Sequence, residues 1–206
     1  APGQYINELP RCDEGDDATT MALKCTEAIA HDAGGMVALG AWGGYITFHF
    51  DHPVVNLSGQ PDLYIKGNAF DGNSEPGIVC VSRDTNGNHL PDDAWYELSG
   101  SADVDSTNVL YGYELTYSLS APLCDVPWTD NQGDEGLIER NNFHTQEYFP
   151  LWLPSSLTFS GTLLPRNASA RSGNGTYWTL ESLRYGYVDN LSNKDTLACS
   201  FDIDWA

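Results

Sequence analysis

Basic side chains are scarce in this chain. Nine Lys and Arg stand against 29 Asp and Glu, a formal charge of -20 over 206 residues. Nucleic acids and anionic membrane surfaces are bound through clusters of the very side chains that are missing, so both fall away as partners. Long apolar runs are missing too. No stretch approaches the roughly eighteen consecutive apolar residues of a membrane helix, and no charged-then-apolar leader opens the sequence. The five cysteines have no metal-type spacing, which argues against zinc. An odd count leaves at least one unpaired. Cys12 and Cys25 flank an acidic turn and a helix start and are the pair that an oxidising compartment would join. Cys80, inside the apolar run from Ile78 to Val81, is expected to be a buried small hydrophobe. Several catalytic signatures are absent as well: a Gly-x-Ser-x-Gly elbow, a phosphate-cradling P-loop, a Rossmann glycine fingerprint after a strand, and a His-Glu-x-x-His pair.

What is present favours strands joined by turns: 20 Gly, 11 Pro and 12% aromatic residues. A chain of this length supports one good core, and a single domain over residues 1–206 is expected. One helix is readable from Ala18 to Ala30. Asp16 or Asp17 can cap it, Met21, Ala22, Cys25, Ala28 and Ile29 recur at helical spacing, and Gly34 and Gly35 stop it. Short β-branched or aromatic runs follow at Met36 to Leu39, Tyr45 to Phe50, Leu63 to Lys66, Gly77 to Ser82 and Trp95 to Leu98. More lie at Tyr111 to Ser118, Leu157 to Ser160, Tyr177 to Ser182 and Phe201 to Trp205. The pattern predicts a mainly β fold, a jelly-roll-like β-sandwich with one N-terminal helix and long loops.

The most chemically specific segment runs from Asp84 to Glu97. Asp84, Asn86 and Asn88 on alternate residues can turn three side-chain oxygens toward one point, the Leu90 carbonyl can add a fourth, and Asp92 or Asp93 can complete a calcium shell. The match covers the first half of an EF-hand-type loop and then departs, with His89 where the turn glycine belongs and Glu97 too late to close the loop. A calcium loop between strands is the nearer analogue. An Asx-rich turn without metal is the competing reading.

From Ser120 to Pro154 strand alternation fades, and long irregular connections in small domains often carry function. Aromatic faces bury apolar area while amides give directional hydrogen bonds, a combination suited to rigid ligands such as sugars or corrinoids. The ligand-binding candidates are Trp128, Asn131, Asn142, Phe143, His144, Gln146 and Tyr148, with Trp42 beside Gly43 and Gly44 as a further platform. For His144 a hydrogen-bonded structural imidazole, and for Trp42 a strand-end core residue, stand beside these roles. His49 and His52 around Asp51 read as polar decoration.

Several motifs together resemble a known family. They are Ala1 to Pro10, Gly43 to Phe48 with Phe50 to Pro53, Gly67 to Phe70, Glu75 to Val79, the Asp84 to Glu97 loop, and Trp178 with Tyr185 to Asn190. They look like the surface-exposed "cell surface protein" lipoproteins of gut Bacteroidetes, which are encoded beside corrinoid uptake systems and include cobamide (cobalamin) binders. The resemblance implies a non-catalytic β-sandwich held at the cell surface, outside the outer membrane, by a lipid anchor upstream of residue 1. It also implies structural calcium and capture of cobalamin for an outer-membrane corrinoid transporter and its lipoprotein lid. Family chains continue past the equivalent of Phe201 to Trp205, so the domain is expected to extend beyond the present ends. Two alternatives remain open: a carbohydrate-binding module of a glycan-utilisation system using Trp and Tyr platforms, and a glycosidase pairing carboxylates such as Glu139 and Glu147.

Overall fold

The computed structural model describes residues 9–31, 33–119, 121–141, 144–171 and 178–206. The fold is mainly β, with one helix of more than two turns and several small antiparallel sheets. Helix α1 spans Ala18–Ile29. Its cap is Asp17, whose Oδ1 accepts from the backbone of Thr19 and Thr20 while the Thr20 hydroxyl accepts from Asp17 N–H, so two orphan donors at the helix start are satisfied. Beyond it come β1 (Leu63–Tyr64), β2 (Cys80–Ser82), β3 (Trp95–Glu97), the short α2 (Ser101–Asp105) and β4 (Leu110–Ser118). Then follow β5 (Val126–Asp130), β6 (Glu135–Ile138), β7 (Ser156–Leu163), β8 (Ala168–Ala170), β9 (Trp178–Leu180) and β10 (Ser200–Phe201). Among the described residues no helix is long and apolar enough to cross a membrane.

The chain forms two compact units. The first comprises residues 1–46 and 111–163 and holds the four-stranded sheet of order β6-β5-β4-β7. Strand alternation makes its core: Tyr113, Leu115 and Tyr117 of β4 fall on one face and are buried with Val126, Ile138 and Phe149. On the opposite face the Thr116 and Thr158 hydroxyls join β4 to β7 at 2.7 Å. Tyr117 donates its hydroxyl to the Trp42 carbonyl at 2.8 Å, so the one polar atom of a buried ring has a partner.

The second unit comprises residues 47–110 and 164–206. Three two-stranded antiparallel pairs build it, with Leu63 facing Phe201, Cys80 facing Glu97 and Ala168 facing Leu180. Val79, Leu98 and the wholly buried Phe201 form its core, flanked by Leu63, Ile65, Val81, Val188 and Trp205. The end of the chain therefore supplies the centre of this unit.

Some expected elements differ. Val126–Asp130 and Glu135–Ile138 make a hairpin inside the segment expected to be irregular, turned at Gly133 with φ 89°. Among the described residues Met36 to Leu39 and Tyr45 to Phe50 pair with no strand, and Tyr45 and Phe48 remain largely exposed. All five cysteines are free thiols. Cys80 is exposed and not buried, because period-two alternation over residues 79–81 turns Val79 and Val81 toward the core and Cys80 out. Cys199 is the buried one.

Candidate functional site

The Asp84 to Asp93 loop is the connection of the β2–β3 hairpin, closed at its base by the Ser82–Trp95 pair. Both Asp84 oxygens accept from the loop backbone, Oδ1 from Gly87 N–H at 2.6 Å and Oδ2 from His89 N–H at 3.0 Å. The Asn86 and Asn88 side-chain oxygens each accept from the backbone two residues on. Opposite them, Asp92 receives the amide groups of Asn86 and Asn88 at 3.3 and 2.9 Å. Asp93 is used differently: its carboxylate accepts from the Thr85 hydroxyl and backbone N–H. Of the two candidates for closing a cation shell, Asp92 thus faces the asparagines and Asp93 ties the loop to Thr85.

His89 takes φ 59°, the left-handed conformation usually given to glycine at a sharp turn. The turn therefore forms without the glycine, at a conformational cost. The backbone N–H of His89, followed by that of Gly87, holds the Asp84 carboxyl below the usual carboxylate range. The donor chemistry fits a hard cation: two carboxylates, two amide side chains and the Leu90 carbonyl are all oxygen ligands. Among the described residues no group of three or more His, Cys, Asp or Glu gathers as a metal site, so a cation here depends on the Asn and carbonyl oxygens.

The aromatic and amide candidates lie in the first unit, apart from Asn142 and Phe143, which fall outside the described residues. Trp128 sits in β5 against Gly136 of β6, where a Cβ would stand 2.7 Å from the indole. Only glycine at 136 leaves room for the ring. The indole flanks the first core, and its buried Nε1 has no hydrogen-bond partner among the described residues. The same holds for Nε of Arg140, a residue that sequence reading passed over. Arg140 otherwise grips the segment, donating to the Leu123 and His144 carbonyls at 3.2 and 3.0 Å.

His144 Nδ1 lies 2.6 Å from the Tyr148 hydroxyl, which also accepts from Asn141 N–H. That contact fixes the imidazole and leaves Nε2 as the nitrogen able to meet a ligand. Gln146 is half-buried in the same turn. Asn131 spends its side chain on the hairpin: its amide donates to the Gly112 carbonyl and its oxygen accepts from Gln132. Trp42 packs edge-on against Tyr113 at 4.8 Å and flanks the first core, the placement of a core residue. Of the carboxylates weighed for glycoside hydrolysis, Glu147 accepts from the Leu123 backbone at 2.7 Å and so holds the loop.

No protein-family model matches the chain, and no curated protein matches it either.

Proposed function

We propose that this chain is a non-catalytic binding protein of the bacterial cell surface, which captures a cobamide and passes it to an outer-membrane corrinoid transporter and its lipoprotein lid. The motif resemblance supplies the ligand class. The single observation that carries a ligand in the 128–148 region is the unsatisfied donor of Trp128. A buried N–H without an acceptor costs about 1–3 kcal/mol, a cost that a ligand carbonyl would offset where the segment covering the indole opens. A corrin rim carries amide carbonyls suited to that role. Tyr148 and His144 would pack beside it, with Nε2 of His144 turned to the ligand and cobalt coordination not required.

Calcium in the 84–93 loop is the second part of the reading. Asp84, Asn86, Asn88, the Leu90 carbonyl and Asp92 would hold it, with Asp93 bracing the loop, and its role would be to stiffen the β2–β3 hairpin. Equilibrium titration of the calcium-loaded protein with cyanocobalamin and with a panel of neutral glycans tests the reading. Saturable micromolar or tighter cobalamin binding supports it. Glycan binding in the 128–148 region without cobalamin binding replaces it with the carbohydrate-binding alternative.

A further inference from the structure

The second unit contains a cleft of about 200 Å³ to which no role has been given. It lies where the Phe70–Asn73 turn meets the chain leaving β9. The turn closes with Asn73 N–H on the Phe70 carbonyl at 2.8 Å. It is stitched to β9 by Leu180 N–H on the Gly72 carbonyl and Ser74 N–H on the Leu180 carbonyl, at 2.9 and 3.1 Å. Gly72 is needed there. Its φ is 76°, and a Cβ would come within 3.1 Å of Arg171 Nη2.

Side-chain amides set the walls. Asn190 is 1% exposed, and its side chain pairs with both the N–H and the carbonyl of Leu183 at 2.7 and 2.8 Å. The Ser74 hydroxyl donates to the Asn190 carbonyl at 2.7 Å, and the Asn167 amide bridges the carbonyls of Ser74 and Glu181, both at 2.8 Å. A cleft whose backbone is tied at this many points is formed before any ligand arrives, which lowers the entropic cost of binding.

We propose that this cleft is a second ligand site, independent of the cobamide reading, that takes one neutral, hydroxyl-rich ring the size of a single pyranose. Size decides first: the volume is below the roughly 300–1,000 Å³ of clefts that hold drug-sized ligands, so a corrinoid cannot enter it. Charge decides next. The described lining offers the carboxylates of Asp71 and Glu181 with the hydroxyls of Ser182 and Ser192, and no cationic side chain. A guanidinium, that of Arg171, stands beside Gly72 with its Nε on the Thr179 hydroxyl at 2.7 Å, one positive charge against two carboxylates. Phosphorylated and acidic sugars meet repulsion there, in a chain already at -20. Carboxylates accept strong hydrogen bonds from neighbouring hydroxyls, and serine hydroxyls both donate and accept. Phe70 lines the cleft with 62% of its surface exposed and offers the apolar face on which the C–H side of a sugar ring rests.

The test is a ¹H–¹⁵N chemical-shift titration of the whole chain with glucose, galactose, mannose and N-acetylglucosamine. Glucose 6-phosphate and glucuronate serve as comparisons. The expected result is saturable shifts at residues 70–74 and 181–192 with at least one neutral sugar, at about millimolar affinity for so small a ligand. Weakening of tenfold or more is expected in Phe70→Ala, whose ring is too exposed to hold the fold, and of several-fold in Glu181→Gln. No saturable shift with any neutral sugar, tighter binding of the anionic sugars, or unchanged affinity in both variants each overturns the proposal. Cobalamin affinity is expected to be unchanged in Phe70→Ala, so the two binding claims fail separately.

Discussion

The backbone N–H of His89 donates to Asp84 Oδ2 at 3.0 Å from a left-handed turn that a glycine would ordinarily make. The β-carbon of His89 strains that turn by about 1–2 kcal/mol. Replacing His89 by Gly is therefore expected to stabilise the protein, by up to about 1 kcal/mol after the extra freedom of glycine in the unfolded chain is counted. A thermal melt should rise by roughly 2–4 °C. A fall in melting temperature would mean that the His89 side chain contributes more than its backbone costs.

Removal of calcium should lower the melting temperature. At a calcium concentration about a hundred times the dissociation constant the ion stabilises by about 2.7 kcal/mol, which for a chain of this length is roughly 5–10 °C. Chelator should abolish that increment, and Asp92→Ala should melt at the chelated temperature with or without calcium. The pH dependence follows from Asp84. Its carboxyl is held below the ordinary value by the His89 and Gly87 N–H groups, so its contribution is complete above the unfolded value of about 3.9 and is lost as pH falls through the lower folded value.

Tyr117 tests the first core. Tyr117→Phe leaves the Trp42 carbonyl without its donor and should cost about 1–2 kcal/mol. Burial also pushes the Tyr117 phenol well above its ordinary value. The unfolded chain then ionises first, so stability is full below pH about 10 and falls as pH rises beyond it. The phenylalanine variant should show a shallower alkaline fall in denaturant unfolding.

Asn190 tests the second unit. Asn190→Ala strands the N–H and carbonyl of Leu183, a loss of about 2–4 kcal/mol, or roughly 4–16 °C in a thermal melt.

Thiol labelling gives a separate check. Cys12, Cys80 and Cys124 are exposed and should react with maleimide in the native protein, while buried Cys199, whose thiol burial pushes up, should label only on unfolding. Mass spectrometry of peptides from native and denatured samples reads the difference.

Local signals were legible in the sequence. The Asp17 cap, the spacing of α1, the β2 and β3 pair around the acidic loop, and β4 with its Tyr113, Leu115, Tyr117 alternation all depend on neighbours within a few residues. The β5–β6 hairpin was hidden because Pro127 and Gly136 are poor strand residues, although Asp130 to Gly133 carried the turn chemistry. Tyr45 to Phe50 misled in the opposite way, since aromatic and β-branched residues supply strand propensity but not a partner strand. Trp42 and Trp128 could be named as aromatic candidates, yet burial against Tyr113 and an unpaired indole N–H are tertiary facts. The cleft at Phe70 and Glu181 gave no sequence signal, because its walls come from segments more than a hundred residues apart and are joined by Asn190 and Asn167.

The affinity of Trp128→Phe for cyanocobalamin, measured by titration beside the unaltered protein, is the most direct check on the proposed function. The variant removes the buried donor together with the pyrrole half of the indole, so its melting temperature is read beside its affinity. One lost hydrogen bond predicts about tenfold weaker binding in a variant that still folds. Equal affinity in the two proteins, or binding in neither, would contradict the proposed site.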